Sequence, residues 1–150
     1  MNGMHLLIGI GNDLLADDGI GCFVAAGLSH PEWKSFNAGT ISGDFIRKIR
    51  EIKPDLLVLV DAADMGLAPG SIRIIPPERI SDVGMGTPRF PLDAMYEVIS
   101  VLCREILIIG IQPAVVDIGE DMTDVVKGAG VKLISMFTSS AYKQIEIYHP

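Results

Sequence analysis

The sequence predicts an α/β fold of three layers, in which a twisted, mostly parallel sheet lies between helices on both faces. Short continuous apolar runs alternate along the chain with segments whose apolar residues recur at helical spacing. Such runs are typical of strands buried on both faces, and their alternation with helices favours parallel pairing. No repeat or linker interrupts the 150 residues, so we expect a single domain covering residues 1–150.

The first half of the chain predicts two strands and two helices. Residues 5–10 (HLLIGI) form an apolar run that ends at glycine and predict a buried strand. Residues 18–28 carry apolar and small residues on one side of a helix, and residues 33–36 predict a second strand. Residues 43–53 (GDFIRKIREIK) separate an apolar face from a charged one, and Pro54 follows, so this segment predicts an amphipathic helix.

The middle of the chain predicts the central strand and a long irregular segment. Residues 55–60 (DLLVLV) give the clearest buried strand, which we expect to stop at Asp61. Residues 71–75 (SIRII) alternate polar with apolar and predict an edge or half-exposed strand. Residues 76–91 are rich in proline and glycine, and irregular segments of this length are usually functional or mobile.

The last part of the chain predicts two helices around one strand. Residues 92–104 have apolar side chains at helical spacing, and residues 105–111 (EILIIGI) predict another buried strand. Residues 122–140 predict the final helix, although Gly128 and Gly130 weaken the first half of that pattern.

Composition excludes several classes of function. The formal net charge is −7, which argues against nucleic-acid binding and against docking to an anionic membrane. The two cysteines, Cys22 and Cys103, form no CxxC pair, so a zinc ribbon is excluded and both are expected to be reduced core residues of a cytoplasmic protein. The chain shows no signal-peptide pattern and no run of roughly 20 apolar residues, so we expect no membrane insertion.

The segment GIGNDLLADDGIG at residues 9–21 resembles a phosphate-binding loop only in part. A dinucleotide fingerprint needs a third glycine where Leu14 stands, and no Walker A motif occurs in the chain. Asp17 and Asp18 would bring negative charge to the start of the following helix, where a phosphate would otherwise bind. The segment therefore favours a cation over a nucleotide.

The aspartates have a structural interpretation beside the functional one. Asp17 suits the N-cap of the helix, and Asp61 suits a hydrogen-bonded turn after the central strand. In a parallel sheet, however, the ends of the first and central strands meet at one edge, so Asp18 and Asp61 are expected at the same rim. Two converging carboxylates indicate a shared proton or a bound cation. Cys22 lies nearby, but no histidine is placed to activate it as a nucleophile.

GIGNDLLADDGIG, followed by VDAADMG at residues 60–66, resembles the hydrogenase maturation proteases. NAGTISG at residues 37–43, PGSIRII at residues 69–75 and LIIGIQP at residues 107–113 also match, most closely the hydrogenase 3-type branch. The resemblance extends over about residues 5–135. It implies the three-layer α/β fold described above. It also implies an endopeptidase that removes the C-terminal extension of a [NiFe]-hydrogenase large-subunit precursor after nickel insertion.

Carried over by position, the resemblance implies that Asp18 and Asp61 are the catalytic and metal-binding acids. The nickel is supplied by the precursor, and cadmium or zinc is expected to substitute for it in crystals. Asp17 would support them by capping the helix or orienting the loop. The partner would be the large-subunit precursor, and a monomer is sufficient for the task.

The chain departs from the family pattern at the third metal ligand. The family's histidine is replaced by Pro88, which has no ligating side chain. His5, His30 and His149 fall outside this loop, while Asp64 and Asp93 remain as weak oxygen candidates. Two carboxylates without an imidazole suit a docking role on nickel already held by the precursor better than capture of free metal. The alternative is an accessory protein that binds the large subunit without cutting it.

Overall fold

The computed structural model describes residues 4–39, 44–85 and 92–150. Within these residues, five strands form one sheet in the order β2-β1-β3-β5-β4. Neighbouring strands are parallel, except that β4 is antiparallel to β5. The predicted mostly parallel sheet is thus confirmed. The strands are β1 His5–Ile10, β2 Trp33–Gly39, β3 Leu56–Ala62, β4 Ile72–Ile74 and β5 Glu105–Ile111.

Helices cover both faces of the sheet, which confirms the three-layer prediction. One apolar core joins α2 and α3 to the sheet, and a second core joins α1 and α4 to the opposite face. Alternate residues of the strands supply the two cores: Leu57 and Leu59 face the first, whereas Val58 and Val60 face the second. The helices are α1 Ile20–Gly27, α2 Asp44–Ile52, α3 Leu92–Leu102 and α4 Asp124–Thr138.

Several predicted boundaries move by a few residues for identifiable reasons. The helix expected from residue 18 begins as a 3₁₀ turn, Ala16–Gly19, and becomes α-helical only at Ile20. Strand β3 continues past the expected stop, because Asp61 stays in register opposite Gly110 of β5. Pairing with β1 likewise carries β2 on to Gly39.

The segment predicted as irregular is partly ordered. Pro77–Val83 is a 3₁₀ helix, and it places Ile80 and Val83 in the first core. Residues 86–91, which include the departure at Pro88, lie outside the described residues. In the described part of the chain, no helix combines the length and the apolar character needed to cross a membrane.

The outer edge of β4 is paired with the end of the chain. The Ile74 N–H donates to the Glu146 carbonyl at 2.9 Å, and the Tyr148 N–H donates to the Ile74 carbonyl at 2.8 Å. An ion pair between Arg73 and Glu146, 2.9 Å apart, adds to this contact. Residues 146–148 therefore satisfy backbone groups that an edge strand would otherwise expose.

Candidate active site

The site is built where β1 and β3 end, beginning with the tight turn after β1. Gly11 has φ of +145°, which favours glycine, and its N–H donates to the Gly39 carbonyl at 2.7 Å. Gly21 at the start of α1 packs so closely on the sheet that a Cβ there would overlap with the carbonyl oxygens of Ile10 and Val60. The glycines of GIGNDLLADDGIG thus allow α1 to begin directly against the strand ends.

Asp18 lies in the 3₁₀ turn between β1 and α1 and is half-buried. Its Oδ2 accepts a hydrogen bond from the Asn12 N–H at 3.0 Å, and Asn12 Oδ1 accepts one from the Leu14 N–H at 3.0 Å. Burial raises the pKa of Asp18 above its ordinary value, and the hydrogen bond from Asn12 opposes that rise only in part. The local loop therefore holds this carboxylate in one place.

Asp61 is the next-to-last residue of β3, and only 3% of its surface is exposed. Its Oδ1 accepts a hydrogen bond from the Ala62 N–H at 2.8 Å. A carboxylate this deeply buried at the carboxyl end of a central strand is unusual, because burying a charge is costly unless the charge is compensated. The position matches the sequence expectation for the rim of the sheet.

Gly11 lies between the backbone of Asp18 and the carboxylate of Asp61. A Cβ built on Gly11 would overlap with the carbonyl oxygen of Asp18 and would lie 3.7 Å from Oδ1 of Asp61. The two aspartates, which are 43 positions apart in the chain, therefore lie at the same turn, and the charges of both act on the Cys22 thiol. The structure places at one end of the sheet the two residues that the sequence singled out.

Cys22 lies beneath this point and is not equipped to act as a nucleophile. It is buried, and its Sγ donates to the Gly11 carbonyl at 3.5 Å. Burial, with the negative charges of Asp13, Asp61 and Asp18, raises the pKa of the Cys22 thiol to about 11. The thiol is therefore protonated near neutral pH, whereas catalytic cysteines need a lowered pKa.

The three histidines of the chain lie away from the carboxylates. His5 begins β1, at the opposite end of the sheet, and packs edge-on against Trp33. His30 precedes β2, where its Nδ1 accepts a hydrogen bond from the Glu32 N–H at 3.1 Å. His149 follows the segment that pairs with β4. None of the three histidines is therefore positioned to activate a cysteine or serine nucleophile near Asp18 and Asp61.

Asp17 has a role that differs from the expected N-cap. The residue before the 3₁₀ turn is Leu15 and the residue before α1 is Gly19, and neither helix start has a side-chain cap. Asp17 is instead fully buried, and its carboxylate accepts hydrogen bonds from the backbone N–H groups of Ala114, Val115 and Thr123 at 2.8–3.0 Å. The capping prediction is therefore wrong, while the expectation that Asp17 orients a loop describes its contacts.

The hydrogen bonds that join Asp17 to the loop after β5 also determine the direction of its pKa shift. Burial would raise the pKa of Asp17, but the hydrogen bonds from Val115, Thr123 and Ala114 outweigh burial and lower it. Asp17 is thus a charged carboxylate committed to structure, and Asp18 remains the candidate of the pair for a chemical role.

Gln112 is a buried residue that holds the loop after Asp61, a role that was not predicted from the sequence. Its Oε1 accepts hydrogen bonds from the Met65 and Leu67 N–H groups at 2.6 and 3.3 Å, and its Nε2 donates to Asp64 Oδ1 at 3.2 Å. The Gln112 side chain therefore stabilises the loop that follows Asp61 by hydrogen bonds. The available signal was a polar residue directly after an apolar run, the same signal that identified Asp61.

The weaker oxygen candidates are engaged elsewhere. Asp64 accepts the Gln112 bond, and Asp93 Oδ1 accepts one from the Ala94 N–H at 2.9 Å in the first turn of α3. Among residues 4–39, 44–85 and 92–150, no three His, Cys, Asp or Glu side chains form a group that could hold a metal ion. The described residues therefore contain no complete metal site built by this chain alone.

A family model described as hydrogenase maturation protease matches residues 24–140. The chain belongs to the hydrogenase maturation protease family. It is 36% identical over 128 residues to the hydrogenase 3 maturation protease of Escherichia coli K12, a match that covers 83% of this chain and 82% of the relative.

Solved structures of this protease family support the same assignment. A crystal structure of a hydrogenase 3 maturation protease matches with a TM-score of 0.88 at 30% identity, covering 98% of this chain and 97% of the other. A [NiFe] hydrogenase maturation protease from Thermococcus kodakarensis matches with a TM-score of 0.80 at 27% identity, covering 91% of each chain. Family membership assigns the chain a protease function in hydrogenase maturation and agrees with the resemblance found in the sequence.

Proposed function

We propose that this chain is an endopeptidase that removes the C-terminal extension of a [NiFe]-hydrogenase large-subunit precursor after nickel insertion. In this proposal it acts in the cytoplasm as a monomer on its larger partner. The observation that supports the site assignment is that Gly11 lies between the backbone of Asp18 and the carboxylate of Asp61. Asp18 and Asp61 then recognise the nickel as part of the substrate.

Two carboxylates are well suited to that recognition. Nickel and zinc sites built wholly by a protein normally include imidazole or thiolate ligands, and the described residues form no such group. Nickel that the precursor already holds needs only additional ligands, and oxygen atoms of Asp18 and Asp61 can supply them. Such a metal can polarise a peptide carbonyl or activate a water molecule for hydrolysis.

The buried setting of the carboxylates favours docking on a cation. Asp61 is nearly inaccessible to solvent and the pKa of Asp18 is raised by burial, so both anions are poorly hydrated. Poorly hydrated carboxylates gain more from a nearby cation than exposed ones do, because less water screens the attraction. The positions of these two side chains then fix where the scissile peptide lies relative to the metal.

The experiment is incubation of the nickel-loaded precursor with the purified chain, followed by mass spectrometry of the precursor's C-terminus. We expect loss of the C-terminal extension with the wild-type chain and none with Asp18→Asn or Asp61→Asn. Asp55→Asn is the matched control, since Asp55 immediately precedes β3 at the end opposite Asp61. Wild-type rates in both site variants would refute the recognition of nickel by these carboxylates.

The same experiment decides the second candidate function. A non-cutting accessory protein would bind the precursor and leave it full length. The replacement of the family's histidine by Pro88 is the observation that favours this candidate. A shortened precursor excludes it.

A further inference from the structure

Three apolar side chains are exposed on two loops beside the candidate site. Leu14 is 71% exposed on the loop after β1, while Val116 and Ile118 are 46% and 83% exposed on the loop after β5. We call these three residues the apolar rim. Single exposed apolar residues are common on soluble proteins, so their exposure gains meaning only from how the loops are joined.

Hydrogen bonds hold the two loops together as one surface. The Asp17 N–H donates to the Val115 carbonyl at 3.0 Å, and the Gly119 N–H approaches the Leu14 carbonyl at 3.3 Å. The Asp17 carboxylate accepts bonds from the Ala114 and Val115 N–H groups. The apolar rim is therefore preorganised, and a partner that binds it loses little free energy in ordering these loops.

The apolar rim is continuous with the carboxylate site. The Leu14 N–H donates to Asn12 Oδ1, and the Asn12 N–H donates to Oδ2 of Asp18. Asn12 thus links Leu14 to the Asp18 carboxylate through two hydrogen bonds. A folded partner that presents a peptide to Asp18 will cover this neighbouring surface.

Charge around the apolar rim indicates the chemistry of its partner. Asp13, Asp117, Glu120 and Asp121 are exposed on the same two loops and the residues next to them. Neither residues 1–33 nor residues 105–126 contain lysine or arginine. A partner with an apolar patch flanked by basic side chains complements this surface, whereas a second copy of the chain would bring like charges together.

We propose that the apolar rim is the docking surface for the folded body of the hydrogenase large-subunit precursor, which contacts it through an apolar patch flanked by lysine or arginine. The inference rests on the proposed function, because it takes the precursor as the partner. It adds that recognition extends beyond the metal and the cleaved peptide. Exposed apolar residues at the centre of such a surface are those expected to dominate binding.

The test compares Ile118→Asp and Leu14→Asp with the matched control Val101→Asp. Val101 is 85% exposed near the end of α3, next to the residues that begin β5 at the opposite end of the sheet. We measure the Kd for the nickel-loaded precursor, and the KM and kcat of cleavage, with circular dichroism as the check on folding. Each rim variant is expected to raise Kd and KM by about tenfold or more with little change in kcat, while Val101→Asp stays within about twofold of wild type.

Equal Kd values for the rim variants, the control and the wild type would overturn the docking surface. So would failure of the wild-type chain to bind the precursor, or a wild-type dimer that Ile118→Asp dissociates in analytical ultracentrifugation. If the wild-type chain binds the precursor without cleaving it, the proposed proteolysis is refuted. The docking surface is then still tested by comparing the Kd of the rim variants with the Kd of the wild type. The two proposals therefore fail by different measurements.

Discussion

The Asp17 carboxylate binds Thr123, which lies 106 positions later in the chain and immediately precedes α4. The Thr123 N–H donates to Oδ1 at 2.8 Å, and the Thr123 hydroxyl lies 2.9 Å from Oδ2 and 3.0 Å from Oδ1. Since the first N–H groups of a helix carry a partial positive charge, a carboxylate at this point stabilises α4. One side chain thus ties the turn after β1 to the start of the last helix.

Asp17→Asn is expected to lower the free energy of unfolding by about 2–4 kcal/mol at pH 7, because the asparagine NH₂ group faces backbone donors that then lose their acceptor. Urea denaturation measures the change. Asp117→Asn is the control, since Asp117 is exposed in the loop that Asp17 holds. A loss below about 0.5 kcal/mol would show that the hydrogen bonds to Asp17 contribute little.

The destabilisation by Asp17→Asn should depend on pH in a defined direction. Because folding lowers the pKa of Asp17 below 3.8, the stabilisation is present above that value and is lost as pH falls through the pKa of the folded state. The difference in unfolding free energy between wild type and Asp17→Asn should therefore be largest near neutral pH and shrink in acid. A difference that grows in acid would contradict this assignment.

Asp18→Asn is expected to raise Tm at pH 7 although it abolishes cleavage. Burial raises the pKa of Asp18 above 3.8, so the ionised form destabilises the fold, and this cost appears as pH rises through the pKa of the folded state. Removal of the charge relieves the cost, and the gain should vanish well below pH 3.8. Thermal unfolding as a function of pH provides the measurement, and a lower Tm for Asp18→Asn at pH 7 would contradict the prediction.

Much of the fold follows from the sequence because local pattern and tertiary packing agree there. Strands β1 and β5 have the predicted bounds, and the apolar periodicity located the four α-helices of the described residues. The predicted start of the first helix is wrong around Ala16. The 3₁₀ turn there is held by contacts with distant residues such as Val115, which local propensity does not reveal. A pattern read along the chain does not contain such pairings.

The candidate site was predictable only where strand ends identify it. Asp61 follows an apolar strand, and parallel topology brings it to the same rim as Asp18. The different contacts of Asp17 and Asp18 could not be fully predicted from the sequence. The two residues are identical and adjacent, and only their hydrogen-bond partners in the folded chain distinguish them. Asp17 meets Thr123, and Asp18 meets Asn12.

Cys22→Ala should leave the rate of precursor cleavage within about twofold of wild type, because a thiol with a pKa of about 11 is ionised in only about one molecule in ten thousand at pH 7. Loss of cleavage in a folded Cys22→Ala variant would contradict this.

Iodoacetamide should modify both Cys22 and Cys103 slowly in the folded chain and rapidly in urea, since both thiols are buried. Mass spectrometry of the labelled peptides measures the two rates.

Gly21→Ala and Gly128→Ala should have opposite effects on stability. A Cβ at Gly21 overlaps with backbone carbonyls of β1 and β3, and we expect a loss of at least about 2 kcal/mol. A Cβ at Gly128 meets no atom within 4 Å, so alanine there should stabilise α4 by about 0.5–1 kcal/mol. Chemical denaturation of both variants measures the contrast, and equal effects would show that the close approach of α1 to the sheet is unimportant.

The pairing of residues 146–148 with β4 bears on whether copies of this chain can join through their sheets. A strand at the edge of a sheet can extend the sheet of a second molecule if its backbone N–H and carbonyl groups are unpaired. Here both backbone groups of Ile74 are hydrogen-bonded to residues 146 and 148, and the ion pair between Arg73 and Glu146 adds to this contact. Association of two copies through this edge would first require residues 146–148 to detach, so the pairing opposes aggregation by strand addition.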